Sequence, residues 1–571
     1  MQKIKILPEE VINKIAAGEV IERPASVVKE LIENSLDANS KYINIEIEDA
    51  GKKLIRVSDD GIGMSPEDVK LCIQRHATSK IYNFSDLETL KTLGFRGEAL
   101  SSIACVSKTR IVSKTDSAQT GWGIIAEGGK IILSQESPHS KGTTVEVNEL
   151  FFNTPARKKF LKSDITEQSH IIKTIEELAL VHFWVGFILK IDNKVYFTLP
   201  PARKIDDRII DLLGNKIYGN LIQIYEEHRY IKIFGFVSKI ESSQANKNIQ
   251  YFFVNSRPVT SRLLSQALYG AFRDSLPIGR HPMAIIIIET NPKFIDVNVH
   301  PTKRIIKFSE ERIIHEIINQ TIKKHLTKQS VPILTIRDST AKAEIFQKQI
   351  YTHPFEQKIL SLSEERGQFY TKKETEEELF DEFLILGQLH NTYIIISTPE
   401  GLTIVDQHAA NERVLYERFT NGTTKKEIQE LLIPHTLEVA PHEYEILRGH
   451  LETINLLGFE ISEFGLNTIV LKSYPSILGE IKNINDFFKE FVTLLIDEFS
   501  DTSKKSIEPR EKIIRSACRA AVKAHDRLSE EEIKKLIIDL KNCKQPLCCP
   551  HGRPTMIKLT ISELEKKFQR K

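Results

Sequence analysis

The chain has 571 residues, of which 41% are hydrophobic and 27% charged, and this length predicts about three or four domains rather than one core. Its formal net charge of +2 excludes a globally basic protein, so any nucleic-acid contact must come from local basic patches. No apolar run is long enough to span a membrane and no signal peptide is recognisable, so we expect a cytoplasmic protein with no membrane contact.

A polar stripe marks the first predicted helix. Glu30, Glu33, Asn34 and Asp37 are spaced at i, i+3, i+4 and i+7, so they share one helix face while neighbouring apolar residues face a core. Such a stripe is also typical of an ordinary solvated helix. The stripe alone therefore leaves a surface helix and a ligand site open as alternatives.

Three glycine-bearing segments favour the ligand site. Gly61 and Gly63 follow Asp59 at the end of a predicted strand, and glycines let a backbone approach a ligand closely. Residues 94–100 form a glycine-bearing loop before a predicted helix, and such a loop directs backbone amides at phosphate. A third segment, 142–144, precedes another predicted strand. The predicted strands cover residues 53–57 and 145–147, and the predicted helix covers residues 100–106.

The order of these segments resembles the GHKL ATPase superfamily, which includes gyrase, the Hsp90 chaperones, histidine kinases and the MutL mismatch-repair proteins. Residues 15–24, 76–80 and 153–157 also resemble MutL signatures. The resemblance implies a multidomain α/β and α+β protein. Its implied parts are a GHKL (Bergerat-type) ATPase sandwich at 1–205, a ribosomal-S5-like transducer domain at 206–328, a flexible linker at 329–382, and an α/β C-terminal dimerisation and endonuclease domain at 383–571.

The resemblance also implies roles for the N-terminal motif residues. Glu30 would orient or deprotonate the water that attacks the γ-phosphate of ATP, and Asn34 would hold Mg²⁺. Asp59 would accept a hydrogen bond from the adenine amino group. Residues 76–102 would form a lid that closes when ATP binds. The other implied nucleotide contacts are Gly61, Gly63, Thr78, Phe95, Gly97, Thr143 and Lys303.

Basic residues in this half carry two further predictions, each with an alternative. The resemblance implies that Lys303 reaches the γ-phosphate, whereas the residue type alone favours a solvated lysine. Arg157 and Lys159, which we predict in a loop, and Arg262 would bind DNA phosphates without reading sequence. Thr260 replaces a neighbouring arginine of the family, and dispersed solubility charges are the alternative to a DNA surface.

The C-terminal part begins with predicted strands at 392–397 and 402–406. A helix that starts at His408 places His408 and Glu412 on one face, one turn apart, with Asp406 at the preceding strand end. Carboxylate and imidazole groups so placed suit a divalent metal. An ordinary amphipathic helix entry is the alternative.

Cysteines strengthen the metal interpretation. Four of the six cysteines (Cys518, Cys543, Cys548 and Cys549) crowd the C-terminal end, which in a reducing compartment indicates metal rather than disulfides. Cys549 is followed two residues later by His551, and this spacing is natural for a pair of loop ligands. These residues supply sulfur and nitrogen ligands from far along the chain.

Taken together, the three C-terminal stretches resemble the endonuclease site of the nicking branch of MutL. The resemblance implies Asp406 as a catalytic residue. It further implies Zn²⁺ on sulfur and nitrogen ligands and Mn²⁺ or Mg²⁺ on carboxylates, held by His408, Glu412, Cys518, Cys549 and His551. Pro546 stands where some relatives have another cysteine, and whether Cys543 or Cys548 replaces it is open.

Two short C-terminal segments complete the predictions. Residues 429–434 resemble the peptide by which repair proteins bind the replication sliding clamp, through Gln429, Leu432, Ile433 and Pro434. The alternative is that these apolar residues belong to the core. Further on, Ser529 and Glu532 predict a capping box for a helix over 530–540.

The resemblance implies an ATP-hydrolysing homodimer that couples mismatch recognition to strand removal and nicks double-stranded DNA at a metal-dependent C-terminal site. Its implied partners are a MutS-type mismatch-recognition protein and the sliding clamp. One alternative is a non-catalytic matchmaker with structural zinc. Another is a different GHKL machine, but the chain shows neither the tyrosine domain expected of a topoisomerase nor the phospho-accepting helix of a histidine kinase, and an Hsp90 would not end as this chain does.

Overall fold

The computed structural model describes most of the chain. The described residues are 21–81, 92–94, 97–229, 231–244, 247–273, 275–276, 280–296, 306–329, 383–421, 427–465, 467–500, 507–522, 527–568 and 570. Phe95, Lys303, residues 15–20 of the first signature and residues 330–382 of the predicted linker lie outside them.

An eight-stranded mixed sheet forms the N-terminal part. Its strands are β1 (Tyr42–Glu48), β2 (Leu54–Asp59), β3 (Lys108–Lys114), β4 (Gly121–Glu127), β5 (Lys130–Ser137), β6 (Gly142–Asn148), β7 (Gly186–Ile191) and β8 (Lys194–Leu199). They are ordered β5-β4-β3-β6-β2-β1-β7-β8, and β1 runs parallel to β7 while the other neighbours are antiparallel. Ile43, Ile45 and Ile47 alternate along β1 and are buried in one core, as the period of a strand requires.

Seven helices of the described residues accompany this sheet or follow it. They are α1 (Pro24–Asp37), α2 (Pro66–Leu71), α3 (Ala99–Cys105), α4 (Pro155–Phe160), α5 (Asp164–Val181), α6 (Ile205–Leu213) and α7 (Asn215–Tyr218). Pro24 fits the first turn of α1, where its missing amide hydrogen is not needed. Val28, Leu31 and Ile32 of α1 are buried in the sheet core, so the opposite face of α1 presents the polar stripe.

A five-stranded sheet forms the second unit. Its elements are β9 (Leu221–Glu227), β10 (Ile231–Ser238), β11 (Gln250–Val254), β12 (Arg257–Pro258), α8 (Arg262–Phe272) and β13 (Ala284–Thr290), followed by β14 (Ile295–Asp296), β15 (Lys307–Phe308) and α9 (Glu311–Gln329). The order is β12-β11-β13-β10-β9, with β11 parallel to β13 because α8 crosses over between them. Helices α8 and α9 pack against each other and share a core with the sheet.

The C-terminal unit contains two sheets. Its first part is β16 (Leu384–Leu389), β17 (Tyr393–Thr398), β18 (Gly401–Asp406), α10 (Gln407–Asn421), α15 (Glu530–Lys541), β22 (Met556–Thr560) and α16 (Ile561–Lys567). Its second part is β19 (Ile428–Glu438), α11 (Pro441–Arg448), α12 (Leu451–Leu456), β20 (Glu460–Glu463), β21 (Thr468–Pro475), α13 (Ile484–Ser500) and α14 (Pro509–Ala521). The sheet orders are β16-β17-β18-β22 and β19-β21-β20.

The first of these sheets is covered on one face. Ile394, Ile396 and Val405 are buried against α10 and α15. Apolar residues of the same sheet that point away from this core are exposed: Leu384, Leu386, Leu389, Tyr393 and Ile557. The four-stranded sheet therefore presents a broad apolar face to solvent.

The structure confirms the predicted multidomain α/β and α+β fold class. The predicted strands at 53–57, 145–147, 392–397 and 402–406 and the predicted helix at 100–106 are present, with ends that differ by at most three residues. The capping box is also present, because Ser529 and Glu532 exchange hydrogen bonds at the start of α15. Among the described helices, we find none whose length and apolar character would let it traverse a lipid bilayer.

Candidate nucleotide and metal sites

The carboxylates at the start of the polar stripe share a lysine. Lys29 Nζ lies 3.2 Å from Glu30 Oε1 and 3.0 Å from Glu33 Oε1. Burial opposes the charge of Lys29, but attraction to Glu30 and Glu33 raises its pKa overall. Since Glu33 is buried, Lys29 and Glu33 form a fixed ion pair beside the more accessible Glu30.

The far end of the stripe binds the predicted lid. Lys80 Nζ lies 2.9 Å from Asn34 Oδ1 and 2.5 Å from Asp37 Oδ2. The backbone amides of Leu93 and Gly94 donate to the Asp37 carboxylate at 2.9 and 3.1 Å. An ammonium group therefore already sits at the amide oxygen that the resemblance assigns to Mg²⁺, which shows that this oxygen faces a position suited to a cation.

Asp59 occupies a half-buried, hydrogen-bonded position at the end of β2. Its Oδ2 accepts a hydrogen bond from the Ser35 hydroxyl at 2.8 Å, and its Oδ1 accepts one from the Gly61 amide at 2.9 Å. Burial nevertheless raises the pKa of the Asp59 carboxyl above its ordinary value. Gly142 lies against the Asp59 backbone, where a Cβ would approach the Asp59 carbonyl oxygen to 1.9 Å.

The motif glycines are required first by the packing of the protein itself. Gly63 has a φ of +70°, and a Cβ there would lie 2.1 Å from the carbonyl oxygen of Lys114. A Cβ on Gly61 would lie 2.8 Å from the carbonyl oxygen of Ala38. Close approach of a nucleotide to these glycines stays a prediction.

The remaining predicted nucleotide contacts are only partly described. The Thr78 hydroxyl accepts a hydrogen bond from the Lys80 amide at 3.2 Å, and the Thr143 hydroxyl lies 2.8 Å from the Ser113 hydroxyl. Gly97 has a φ of +63°, a conformation in which glycine is favoured. Phe95 and Lys303, also predicted to contact nucleotide, lie outside the described residues.

Two basic residues near this site were missed by sequence reasoning. Lys80 bridges Asn34 and Asp37, whereas the sequence identifies it only as part of the 76–80 signature. Arg257, from the second unit, donates a hydrogen bond to the carbonyl oxygen of Thr92 at 2.7 Å. Glu33 and Asp37 contribute to its electrostatic surroundings. The spacing along the chain gives no signal for Arg257, because it is 165 residues from Thr92.

The C-terminal candidate metal site is centred on Glu412. Its carboxylate lies 3.1 Å from His408 Nε2 and 3.2 Å from His551 Nδ1, so it bridges two imidazoles. Potential ligand atoms of Glu412, Cys549 and His551 all lie within 4.8 Å of one another. The shared helix face of His408 and Glu412 is the arrangement that their spacing predicts.

The other predicted site residues are not part of this close cluster. Asp406 Oδ1 accepts a hydrogen bond from the Ala409 amide at 3.0 Å at the start of α10. Cys518 is buried, and burial raises the pKa of its thiol, with Glu412 adding to the effect. Among the described residues, Cys543 and Cys548 are not part of the close cluster: the Cys543 thiol donates to the Asp539 carbonyl, and Cys548 lies beside Arg413.

The segment predicted to bind a clamp is exposed. Leu432 is fully exposed and Ile433 is 73% exposed, so the core interpretation is wrong for both residues. Gln429 pairs with Tyr474 in the sheet, and the pairing of β19 with β21 then shifts between Glu430 and His435. The shift leaves this short apolar segment outside the regular register.

The basic residues proposed for DNA are exposed or partly exposed. Lys159 and Arg262 are exposed and Arg157 is half-buried. The prediction that Arg157 and Lys159 lie in a loop is wrong, because both belong to helix α4. Pro155 occupies the first turn of that helix, where its fixed φ favours helix formation.

Comparisons with known proteins define the class of the N-terminal part. The family described as "Histidine kinase-, DNA gyrase B-, and HSP90-like ATPase" matches residues 21–149, which contain Glu30, Asn34 and Asp59. This part of the chain is therefore an ATPase domain of that class. The families described as "DNA mismatch repair protein, C-terminal domain" and "MutL C terminal dimerisation domain" match residues 209–327 and 386–528.

Relatives that match the whole chain give the family. The protein named "DNA mismatch repair protein MutL" from Endomicrobium trichonymphae is 41% identical over 598 aligned positions, and the match covers 100% of both chains. The protein of the same name from Thermoanaerobacter sp. (strain X514) is 40% identical, again with full coverage of both. The chain belongs to the MutL family of DNA mismatch repair proteins.

Solved structures also match the N-terminal half. One titled "Aquifex aeolicus MutL ATPase domain complexed with ADP" is 28% identical with a TM-score of 0.40, covering 55% of this chain and 100% of that one. Another, titled "Crystal Structure of N terminal domain of a DNA repair protein", is 26% identical with a TM-score of 0.49, covering 56% and 98%.

The half-buried carboxylate of Asp59 predicts a trade-off between stability and binding. The raised pKa means that the folded protein holds the Asp59 proton more tightly, so its contribution to stability falls as pH rises from about 4. We expect Asp59→Asn to raise the midpoint of the first thermal unfolding transition at pH 7 by about 2–4 °C for each kcal/mol gained in the free energy of unfolding. The same substitution should weaken ATP binding. Calorimetry and a nucleotide-binding assay measure both.

The stability gain should shrink as pH falls towards 4, because the wild-type carboxyl then becomes neutral as well. Asp60→Asn, at the exposed neighbouring carboxylate, is the matched control and should produce no such gain. An unchanged or lower midpoint in Asp59→Asn at pH 7 would contradict the cost assigned to this burial.

Proposed function

We propose that this MutL protein is an ATP-hydrolysing homodimer that nicks double-stranded DNA at a metal-dependent site in its C-terminal domain. The observation that carries the nicking proposal is the bridging of two imidazoles by the buried Glu412 carboxylate, with Cys549 beside them. Oxygen, nitrogen and sulfur donors from two separate stretches suit a divalent metal better than a surface salt bridge.

We propose the following division of labour along the chain. Residues 1–205 form the ATPase domain, 206–328 the transducer domain, 329–382 a linker, and 383–571 the dimerisation and endonuclease domain. In the ATPase domain, Glu30 orients or deprotonates the attacking water, Asn34 contributes to the Mg²⁺ site and Asp59 receives the adenine amino group. Gly61, Gly63, Thr78, Phe95, Gly97, Thr143 and Lys303 complete the nucleotide contacts.

Lys80 supports the assignment of a cation position next to Asn34. Its ammonium contacts the Asn34 and Asp37 oxygens, which are hard donors of the kind that Mg²⁺ prefers. We infer that the Asn34 oxygen would help to hold Mg²⁺ when ATP binds, at the position where it now contacts Lys80. The Lys80 ammonium, beside this position, would offset the negative charge that accumulates during phosphoryl transfer.

In the C-terminal site, we propose that His408, Glu412, Cys518, Cys549 and His551 hold the metal. Zn²⁺ suits the sulfur and nitrogen donors, and Mn²⁺ or Mg²⁺ suits the carboxylates. The bound metal would activate water for attack on a phosphodiester and stabilise the departing oxygen. Asp406, at the end of β18, would position or deprotonate that water. His408 and His551 hold Glu412 in one orientation, so the donor set is organised before metal binds.

Dimerisation and DNA contact are supported by two surfaces. The uncovered apolar face of the four-stranded sheet includes Leu384, Leu386 and Ile557, and such a contiguous apolar face is typical of a protein interface. We propose it as the homodimer surface. Arg157, Lys159 and Arg262 offer sequence-independent contacts to DNA phosphates. A MutS-type mismatch-recognition protein would deliver the mismatch signal.

Hydrolysis should depend on Glu30 separately from binding. We expect Glu30→Ala to bind ATP within about threefold of wild type but to hydrolyse it at least about 100-fold more slowly, because the general base is lost while Asn34 and Asp59 are kept. Fluorescent-nucleotide titration and phosphate release measure the two steps. Glu22→Ala, at an exposed glutamate before α1, is the control, and retained hydrolysis in Glu30→Ala would exclude Glu30 as the base.

Nicking should depend on Asp406. Conversion of supercoiled plasmid to nicked circle with Mn²⁺ should fall at least about 100-fold in Asp406→Asn, with bound zinc unchanged, because the water-activating carboxylate is lost. Glu400→Gln, at an exposed carboxylate before the same strand, is the matched control and should nick like wild type. Equal nicking by Asp406→Asn and wild type would indicate a contaminating nuclease. No nicking by any variant, with or without clamp and mismatch partner, would favour the non-catalytic matchmaker.

We also propose that residues 429–434 bind the sliding clamp through Gln429, Leu432, Ile433 and Pro434. The exposure of Leu432 and Ile433 supports this proposal, because an apolar pair free of the core is available to fill a partner's groove. We expect Leu432→Ala to weaken clamp binding by about 30-fold, as for an anchor residue worth about 2 kcal/mol, and to leave clamp-independent nicking unchanged. Surface plasmon resonance on immobilised clamp measures it.

Leu456→Ala is the matched control for the clamp experiment, because Leu456 is another exposed leucine of the C-terminal domain. It should bind clamp like wild type. Equal clamp binding by Leu432→Ala and Leu456→Ala would remove residues 429–434 from the interface.

A further inference from the structure

Helix α11 of the C-terminal domain packs against helix α5 of the ATPase domain. The Gln168 side chain donates to the Glu445 carboxylate at 2.7 Å, and the Ser169 hydroxyl donates to the His442 carbonyl at 3.1 Å. Tyr196, on β8, donates to the Pro441 carbonyl at 2.7 Å. Polar groups on both sides therefore meet partners across the contact, which is typical of a specific interface.

Apolar packing continues across the same contact. Ala440, which precedes α11, is buried within the core of the ATPase sheet. In the opposite direction, Ile165 and Tyr196 of the ATPase domain pack against the core of the C-terminal domain. Each domain thus completes part of the other's core, so the two domains do not merely touch at a polar rim.

Glu176 of α5 lies at the centre of this interface and is fully buried. Its Oε1 accepts the His442 backbone amide at 2.8 Å, and its Oε2 lies 2.8 Å from His442 Nδ1. The Tyr251 hydroxyl, on β11 of the transducer part, donates to Oε2 at 3.0 Å. His442 and Tyr251 hold the pKa of Glu176 below its ordinary value although burial acts against this. One carboxylate therefore joins three parts of the chain.

A buried carboxylate without such partners is costly, and breaking a buried pair by removing one member costs about 3–5 kcal/mol. Two of the three partners of Glu176 come from His442. The His442 amide lies in the first turn of α11, where amides have no acceptor within the helix. The C-terminal domain thus supplies hydrogen-bonding groups to the buried Glu176 carboxylate, and the ATPase domain supplies an acceptor to the His442 amide.

The docked helix also reaches the transducer part directly. The Asn248 side chain donates to the Glu443 carboxylate at 2.7 Å, next to the contact between Tyr251 and Glu176. Further along the same part, Arg257 binds the Thr92 carbonyl beside the nucleotide site. The position of α11 is therefore connected through the transducer part to the backbone of the lid.

We propose that the joint between the ATPase and transducer parts is a docking site for α11 of the same chain, anchored on Glu176. Docking fixes the transducer part relative to the ATPase domain, because Glu176 and Glu443 tie elements of both to the C-terminal domain. Docking of α11 does not require nicking, so loss of the endonuclease assignment would not contradict it.

Gly449 provides a selective way to open the interface. A Cβ at this position would lie 2.4 Å from Ile165 Cδ1 and 2.8 Å from Ile165 Cγ1, across the contact. Its φ of −64° and ψ of −13° are ordinary helical values, so a larger residue introduces no backbone strain. Gly449→Leu should therefore clash with the ATPase domain while leaving the fold of the C-terminal domain intact.

The test is hydrogen exchange of the His442 amide in the full-length protein without nucleotide. Because its acceptor is Glu176 across the interface, this amide should exchange about tenfold or more faster in Gly449→Leu than in wild type. Adding Ile165→Ala to Gly449→Leu makes room and should restore slow exchange. Glu176→Ala should accelerate exchange without any steric clash, because it removes the acceptor of the His442 amide. Fast exchange in wild type, or slow exchange in both single variants, would overturn the proposal.

A second measurement separates docking within one chain from docking by a partner copy. Gln168→Lys places an amine beside Glu445, and a carbodiimide then joins the amine to that carboxylate. In dimers formed from isotopically light and heavy chains, docking within the chain gives crosslinked peptides of one isotope composition only. Mixed light–heavy crosslinks would assign the site to the partner copy and overturn the proposal in its present form.

Discussion

The Asp37 carboxylate is the interaction on which the nucleotide site depends. It lies at the end of α1, whose apolar face is fixed in the sheet core, and it binds the Leu93 and Gly94 amides and the Lys80 ammonium. Helix α1 thereby fixes the positions of Lys80 and of Leu93 and Gly94, which belong to two of the described segments of the predicted lid. Without that point, Asn34 and Glu30 would remain on α1, but the backbone of Leu93 and Gly94 would have no defined position relative to them.

The C-terminal site follows a different principle, since it is assembled from loop and helix ends rather than from one helix. The Glu412 side chain projects from α10, while Cys549 and His551 come from the segment before β22. The pairing of β18 with β22 brings these segments together, because the two strands are neighbours in one sheet. The register of β18 against β22 therefore sets the distance between donors that are about 140 residues apart in the chain.

The sequence could predict local structure well wherever one periodicity dominated. The helix face with Glu30 and Asn34 and the turn that joins His408 to Glu412 follow from spacing alone. Residues brought in from another domain could not be predicted: Arg257 at the lid and His442 at Glu176 have no local signal, because tertiary packing alone unites them. The exposure of Leu432 could not be predicted either, because a short apolar run has the same sequence pattern in a core and on a surface.

The shared carboxylate of Glu176 has a consequence for how this protein can vary. A change at His442 alone leaves a buried negative charge underpaired, and a change at Glu176 alone leaves a first-turn amide and the Tyr251 hydroxyl without their acceptor. Substitutions at the three positions are thus tolerated best when they occur together. We therefore expect Glu176, His442 and Tyr251, which lie in three separate parts of the chain, to be substituted together rather than singly during evolution.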